Sequence, residues 1–151
     1  MTTRGIHDKI RGSRIIKPQT ITTSAINSGD VDLRGFDSAM ILVDIGDIDG
    51  LGTGSPTPGT IAVKVEHADD DGAGAAGAYE NVADTDLDGD TQSAGVVHTF
   101  ADGTESEYLV GYIGSRRFIK VTLTPSSLGA GGPIGAWLIQ DHAHLSPVTQ
   151  G

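Results

Sequence analysis

The stretch "YIGSRRFIKVTLT" (residues 112–124) reads as two strands around a tight turn. Gly114-Ser115 sits between two strand-like runs, as the central pair of a two-residue type II′ hairpin turn would. In the second run Phe118, Lys120, Thr122 and Thr124 share one face, and Ile119, Val121 and Leu123 the other. That period of two is the pattern of a half-buried strand.

The same pattern recurs on both sides of it. "TIAVKVEHA" (60–68) alternates, with Ile61, Val63 and Val65 opposite Lys64 and Glu66. "TITTSAI" (20–26), "GVVHTF" (95–100), "EYLVGYI" (107–113) and "GAWLIQDHA" (135–143) are further strand-like runs, and "SAMILVDI" (38–45) is a continuous apolar run of strand length. Glycine, aspartate and proline clusters separate them, and no window of a dozen residues carries a helical stripe. The expected fold is all-β: a single antiparallel β-sandwich or jelly-roll-like domain over residues 18–151, behind a flexible basic arm over residues 1–17. Two long loops interrupt it, 47–59 and 69–95, a length at which loops are usually functional or disordered. Within the second, "GAGAAGA" offers almost no side chain to pack, so a mobile loop tip is expected there.

With 151 residues and no cysteine, the chain is long enough for a core without staples and has no thiolate chemistry. There is no apolar run near the length of a membrane span, and "MTTRGIHDKIRGSR" has no signal-peptide core, so synthesis in the cytosol without a membrane partner is expected. The net charge is −10, which argues against nucleic acid as a partner. The charge is uneven. Arg4, Lys9, Arg11, Arg14 and Lys17 face only Asp8 within residues 1–17, giving +4; five basic and nineteen acidic residues give −14 for the rest. A basic arm on an acidic body can be steered to an acidic surface.

Several motifs carry a functional reading and its opposite. "DTDLDGD" (84–90) begins like a calcium loop, with Asp84, Asp86, Asp88 and then Gly89 in register, and Asp90 beside them. The twelfth position is Gly95 rather than glutamate, and the flanks read as strands, so the EF-hand reading fails. A solvated acidic loop is expected, with a surface calcium site on Asp84, Asp86, Asp88 and Asp90 as the weaker reading. "GAGAAG" (72–77) matches G-x-G-x-x-G, but no helix follows and Asp69, Asp70 and Asp71 adjoin it, which excludes a pyrophosphate site. His142 and His144 have a metal-compatible spacing without a third ligand. No G-x-S-x-G, Walker A or H-E-x-x-H motif occurs, so no enzyme and no cofactor are expected. Trp137, the one tryptophan, is expected in the core, or else as an interface anchor.

The order of "SGDVDLRGFDSAMILVDIGDI" (28–48), "IAVKVEHADDDGAGAAGAYENV" (61–82), "EYLVGYIGSRRFIKVTLTPS" (107–126) and "GGPIGAWLIQDHAHLSPV" (131–148) resembles a family of small tailed-bacteriophage virion proteins. The resemblance implies a capsid decoration, or cement, protein on the virion exterior. Its implied partners are the major capsid protein and two further copies in a homotrimer, with Arg4, Lys9, Arg11, Arg14 and Lys17 contacting the capsid. A tail or head–tail connector accessory protein, and a calcium- or carbohydrate-binding adhesion module, remain as alternatives.

Overall fold

Alternating apolar and polar residues drive the chain into strands almost throughout. In the computed structural model, which describes residues 9–53, 57–102 and 106–144, they are β1 (Arg11–Ile21), β2 (Ile26–Asn27), β3 (Val31–Asp32), β4 (Phe36–Ile45), β5 (Thr60–Ala68), β6 (Glu80–Asn81), β7 (Leu87–Asp88), β8 (Val96–Phe100), β9 (Ser106–Tyr112), β10 (Phe118–Ser126) and β11 (Gly132–Ala143). The first sheet has the order β1-β11-β4-β9-β7. The second has the order β2-β10-β5-β6, with β3 also on β10 and β8 also on β5. All these named pairs are antiparallel. No α-helix occurs among the described residues; Asp84–Asp86 makes a short 3-10 turn.

The sheets pack face to face as an all-β sandwich. Ile41, Val43 and Ile45 from β4, Val110 and Tyr112 from β9, and Leu138 from β11 meet Ile61, Val63 and Val65 from β5 and Ile119, Val121 and Leu123 from β10. The alternation read in "TIAVKV" and "FIKVTL" thus separates the buried Ile61, Val63, Val65, Ile119, Val121 and Leu123 from the half-buried Lys64, Glu66, Lys120 and Thr122, while Phe118, on the face of Lys120, is buried as well. Each fully buried aliphatic side chain of this kind contributes roughly 1.5–3 kcal/mol relative to exposure.

Three expectations are corrected. Residues 112–118 are not a hairpin. β9 lies in the first sheet and β10 in the second, so Ile113–Arg117 carries the chain from one sheet to the other. Gly114 is absent from the glycines of positive φ, which a type II′ turn requires. Its lack of a side chain serves close packing instead: a Cβ there would sit 2.6 Å from the Tyr112 hydroxyl. Second, the boundary expected at residue 17 falls inside β1. Arg11 pairs with Gln140 and Arg14 with Trp137, so residues 11–17 are an edge strand of the sandwich, while Arg4 lies outside the described residues. Third, the strand expected over 20–26 is broken. β1 ends at Ile21, Thr22–Ser24 bend, and β2 resumes at Ile26 in the other sheet.

Candidate interaction surface

The outer faces of the two sheets differ in kind. On the second sheet Lys120 pairs with Glu66 and Thr122 with Lys64 in the β10–β5 register. Lys64 Nζ lies 2.8 Å and Lys120 Nζ 3.7 Å from the Glu66 carboxylate, and Lys120 sits over the Tyr79 ring at 3.8 Å. That face is charged and internally paired.

The outer face of the first sheet is apolar. Register places Arg14, Trp137, Leu42 and Leu109 in one row across β1, β11, β4 and β9. Gly12, Ile139, Met40, Gly111 and Asp88 form the next row, continued onto β7. Gly135, Asp44 and Glu107 form a third. Trp137 is 43% exposed, Leu109 49% and Ile113 54%; these are the exposed large hydrophobic residues among those described. Met40, Leu42 and Ile139 are half-buried beside them. A shallow groove of about 630 Å³ runs over Ile10, Met40, Leu109, Ile113 and Ile139, with Asp88 at its side. Clustered exposed apolar groups rimmed by polar ones mark interaction sites on soluble proteins.

Trp137 is therefore not a core residue, and its place on an outward face leaves the anchor reading. Arg14 stands next to it in register, and Lys17 is exposed on the same edge strand, as is Lys9 just before β1. The structure thus gathers Arg14, Lys17 and Trp137 on one margin. Arg11 is half-buried, and its Nε has no hydrogen-bond partner among the described residues. Met40, Leu42, Leu109 and Ile139 carry no motif of their own in the sequence. Their signal was the continuous apolar run in β4, since an antiparallel strand buried on one face alone should alternate.

The aspartates of "DTDLDGD" do not converge. Asp84 accepts the Gln92 amide at 2.8 Å. Asp86 lies 3.8 Å from His67 Nδ1. Asp88 is in β7 against Gly111. Asp90 accepts the Tyr108 hydroxyl at 2.7 Å, which holds its carboxyl below the ordinary range. Among the described residues no group of three His, Asp or Glu is placed to hold a metal. His142, at φ 54°, meets Ser38 Oγ at 3.0 Å, whereas His144 meets Asp37 at 2.6 Å; the two rings take separate partners.

The Gly-Ala loop is anchored rather than free. Asp70 Oδ1 accepts the amides of Gly72 and Gly74, and Asp71 Oδ1 those of Ala73 and Ala75. Carboxylates thus occupy the amides that a phosphate would need. Arg116 binds Asp69 and Glu80. Arg117 binds Asp70 and grips Asp32 through Nη2 at 2.8 Å and Nε at 3.1 Å. The Arg117 hydrogen bond holds the Asp32 carboxyl below its usual range.

Two further imidazoles are structural. His67 is buried and contacts Tyr112 Oη at 3.1 Å, and burial lowers its pKa, followed by the charge of Arg116. His98 stacks on Tyr108 at 4.2 Å, and burial lowers its pKa too. Burial pushes the Tyr112 phenol up to about 12, so both partners stay neutral at neutral pH.

No family model matches the chain, and no curated protein matches it. One solved structure overlays it over 93% of this chain and 94% of that one, at 16% identity and a TM-score of 0.39. It is described under "Bacillus endospore appendages form a novel family of disulfide-linked pili". A superposition that loose carries neither fold nor role across.

Proposed function

We propose that this chain is a non-catalytic assembly subunit, a capsid decoration protein of a tailed bacteriophage. The observation that carries the assembly reading is the apolar field of Trp137, Leu42, Leu109, Met40 and Ile139 on one outer face, against the paired charges of Lys64, Glu66 and Lys120 on the other. A module with one sticky and one well-solvated face has a side for its partners and a side for water. The capsid as destination comes from the sequence resemblance. In this reading many modest contacts add up by avidity on a repeating lattice. The exposed basic groups Lys9, Arg14 and Lys17 flank the field and would meet an acidic capsid surface.

The test is the copy number of this protein against the major capsid protein, by quantitative mass spectrometry of gradient-purified virions. Near-stoichiometric amounts are expected. A handful of copies would place the chain at the tail or connector, and absence would overturn the virion reading. A truncation removing residues 1–10 leaves β1 whole. It is expected to fold and to weaken capsid binding, since Arg4 and Lys9 are lost while Arg14 and Lys17 remain.

A further inference from the structure

We propose that the outer face of the first sheet binds a second copy of this chain about a two-fold axis parallel to the strands, between β11 and β4. The inference rests on the assembly-subunit reading and names the partner of that surface. Four strands carry the face in the order β1-β11-β4-β9. A two-fold rotation about that axis exchanges β11 with β4 and β1 with β9, and leaves height along the strands unchanged. Residues of one register row therefore meet residues of the same row in the other copy.

Row by row, the result is self-complementary. Trp137 and Leu42 are register partners, so Trp137 of each copy lies over Leu42 of the other. Ile139 and Met40, likewise partners, cover one another in the next row. At that row's flanks Gly12, with open space above it, meets Gly111, over which Asp88 of β7 lies. In the third row Asp44 faces Gly135 and is not opposed by a carboxylate. The margins also match. β1 carries the exposed bases Arg14 and Lys17, and β9 carries the exposed acid Glu107. The rotation brings the basic margin of each copy over the acidic margin of the other, twice. A two-fold axis across the strands would instead lay β9 on β9 and set the two acidic margins together. An isologous interface of this kind closes at two copies and forms no open fibre.

The face is small. Four strands about 4.8 Å apart and seven residues at about 3.3 Å give a footprint of roughly 440 Å² per copy. A standard interface buries about 800 Å² per partner. The dimer is thus expected to be concentration-dependent, with the two tryptophans as its anchors.

Trp137 is the sole tryptophan, so its fluorescence reports this face directly. Sedimentation velocity on the full chain from low to several hundred micromolar should show monomer converting to dimer, with tryptophan emission moving to the blue over the same range. Leu42→Ser keeps the reporter and should weaken association about 30-fold. Glu107→Lys, an exposed change that leaves the core alone, should weaken it several-fold, and Glu107→Lys with Lys17→Glu, the β1 base in the row of Gly135, should restore it. Three results would each overturn the proposal: a monomer throughout, a trimer, or a dimer whose emission does not move. A monomer that still decorates capsids sinks the dimer and spares the functional reading. A dimer absent from virions does the reverse.

Discussion

The hydroxyl of Tyr112 in β9 lies 3.1 Å from Nδ1 of His67 in β5, and this contact joins the two sheets through the core. The rings meet edge to face with centroids 6.0 Å apart. Tyr112→Phe keeps the ring and removes the hydroxyl, leaving the imidazole nitrogen without that partner. A loss of roughly 1–2 kcal/mol is expected, read as a lower urea midpoint with unchanged slope. An unaltered midpoint would mean that the contact contributes nothing.

The pH dependence of stability has two limbs. His67 and His98 have folded pKa values below 6.5 because burial disfavours their charged forms. The unfolded chain then binds more protons than the folded one just below pH 6.5. Stability is full above that pH and is lost as pH falls toward the folded values. Asp32, Asp71 and Asp90 are held below 3.8, so a second loss begins near that pH and continues as it falls through their folded values. His98→Phe, which keeps an aromatic ring against Tyr108 and Phe100, should flatten the first limb and leave the second. Thermal melts from pH 8 to pH 3 check both.

Arg117→Ala should loosen half of one loop. Arg117 holds Asp70, and Asp70 caps Gly72 and Gly74; Asp71 caps Ala73 and Ala75 by itself. Amide exchange by NMR is expected to quicken at Gly72 and Gly74 more than at Ala73 and Ala75. Equal change at all four would show that the loop moves as one body.

Two glycines of similar φ separate crowding from backbone strain. Gly131 (φ 74°) leads into β11, and a Cβ there would collide with the Ile21 carbonyl oxygen. Gly29 (φ 70°) has open space around it. Gly131→Ala should cost roughly 3 kcal/mol or more and Gly29→Ala only about 1 kcal/mol. Similar values from chemical denaturation would show that the β1–β11 junction yields.

What the sequence disclosed follows the range of each signal. Alternation is local, and it marked β5, β10 and the inner residues Ile61, Val63, Val65, Ile119, Val121 and Leu123. The turn at Gly114-Ser115 misled because glycine beside a small polar residue looks alike whether the chain returns to its own sheet or crosses to the other. Sheet membership depends on partners far along the chain, here β4 for β9 and β5 for β10. Trp137 misled for a related reason: tryptophan in an apolar run suits a core and an uncovered sheet face equally well. The two-sided apolarity of "SAMILVDI" was legible as a run, but its meaning needed the antiparallel register that leaves Met40 and Leu42 on the outer face. The loop "GAGAAGA" is held by its neighbours Asp70 and Asp71, which cap its amides, and Asp70 is steadied in turn by Arg117, some forty residues away, which composition cannot report.

β1 and β11 run antiparallel from Arg11↔Gln140 onward, so the two ends of the described chain leave the sandwich side by side. Tension drawn between those ends would load the sheet as a zipper, opening one pair of bonds at a time from Arg11 toward Ile21. Pulled instead along the strands from opposite ends, the same bonds would share the load. The mechanical weak axis of this domain therefore lies along its termini.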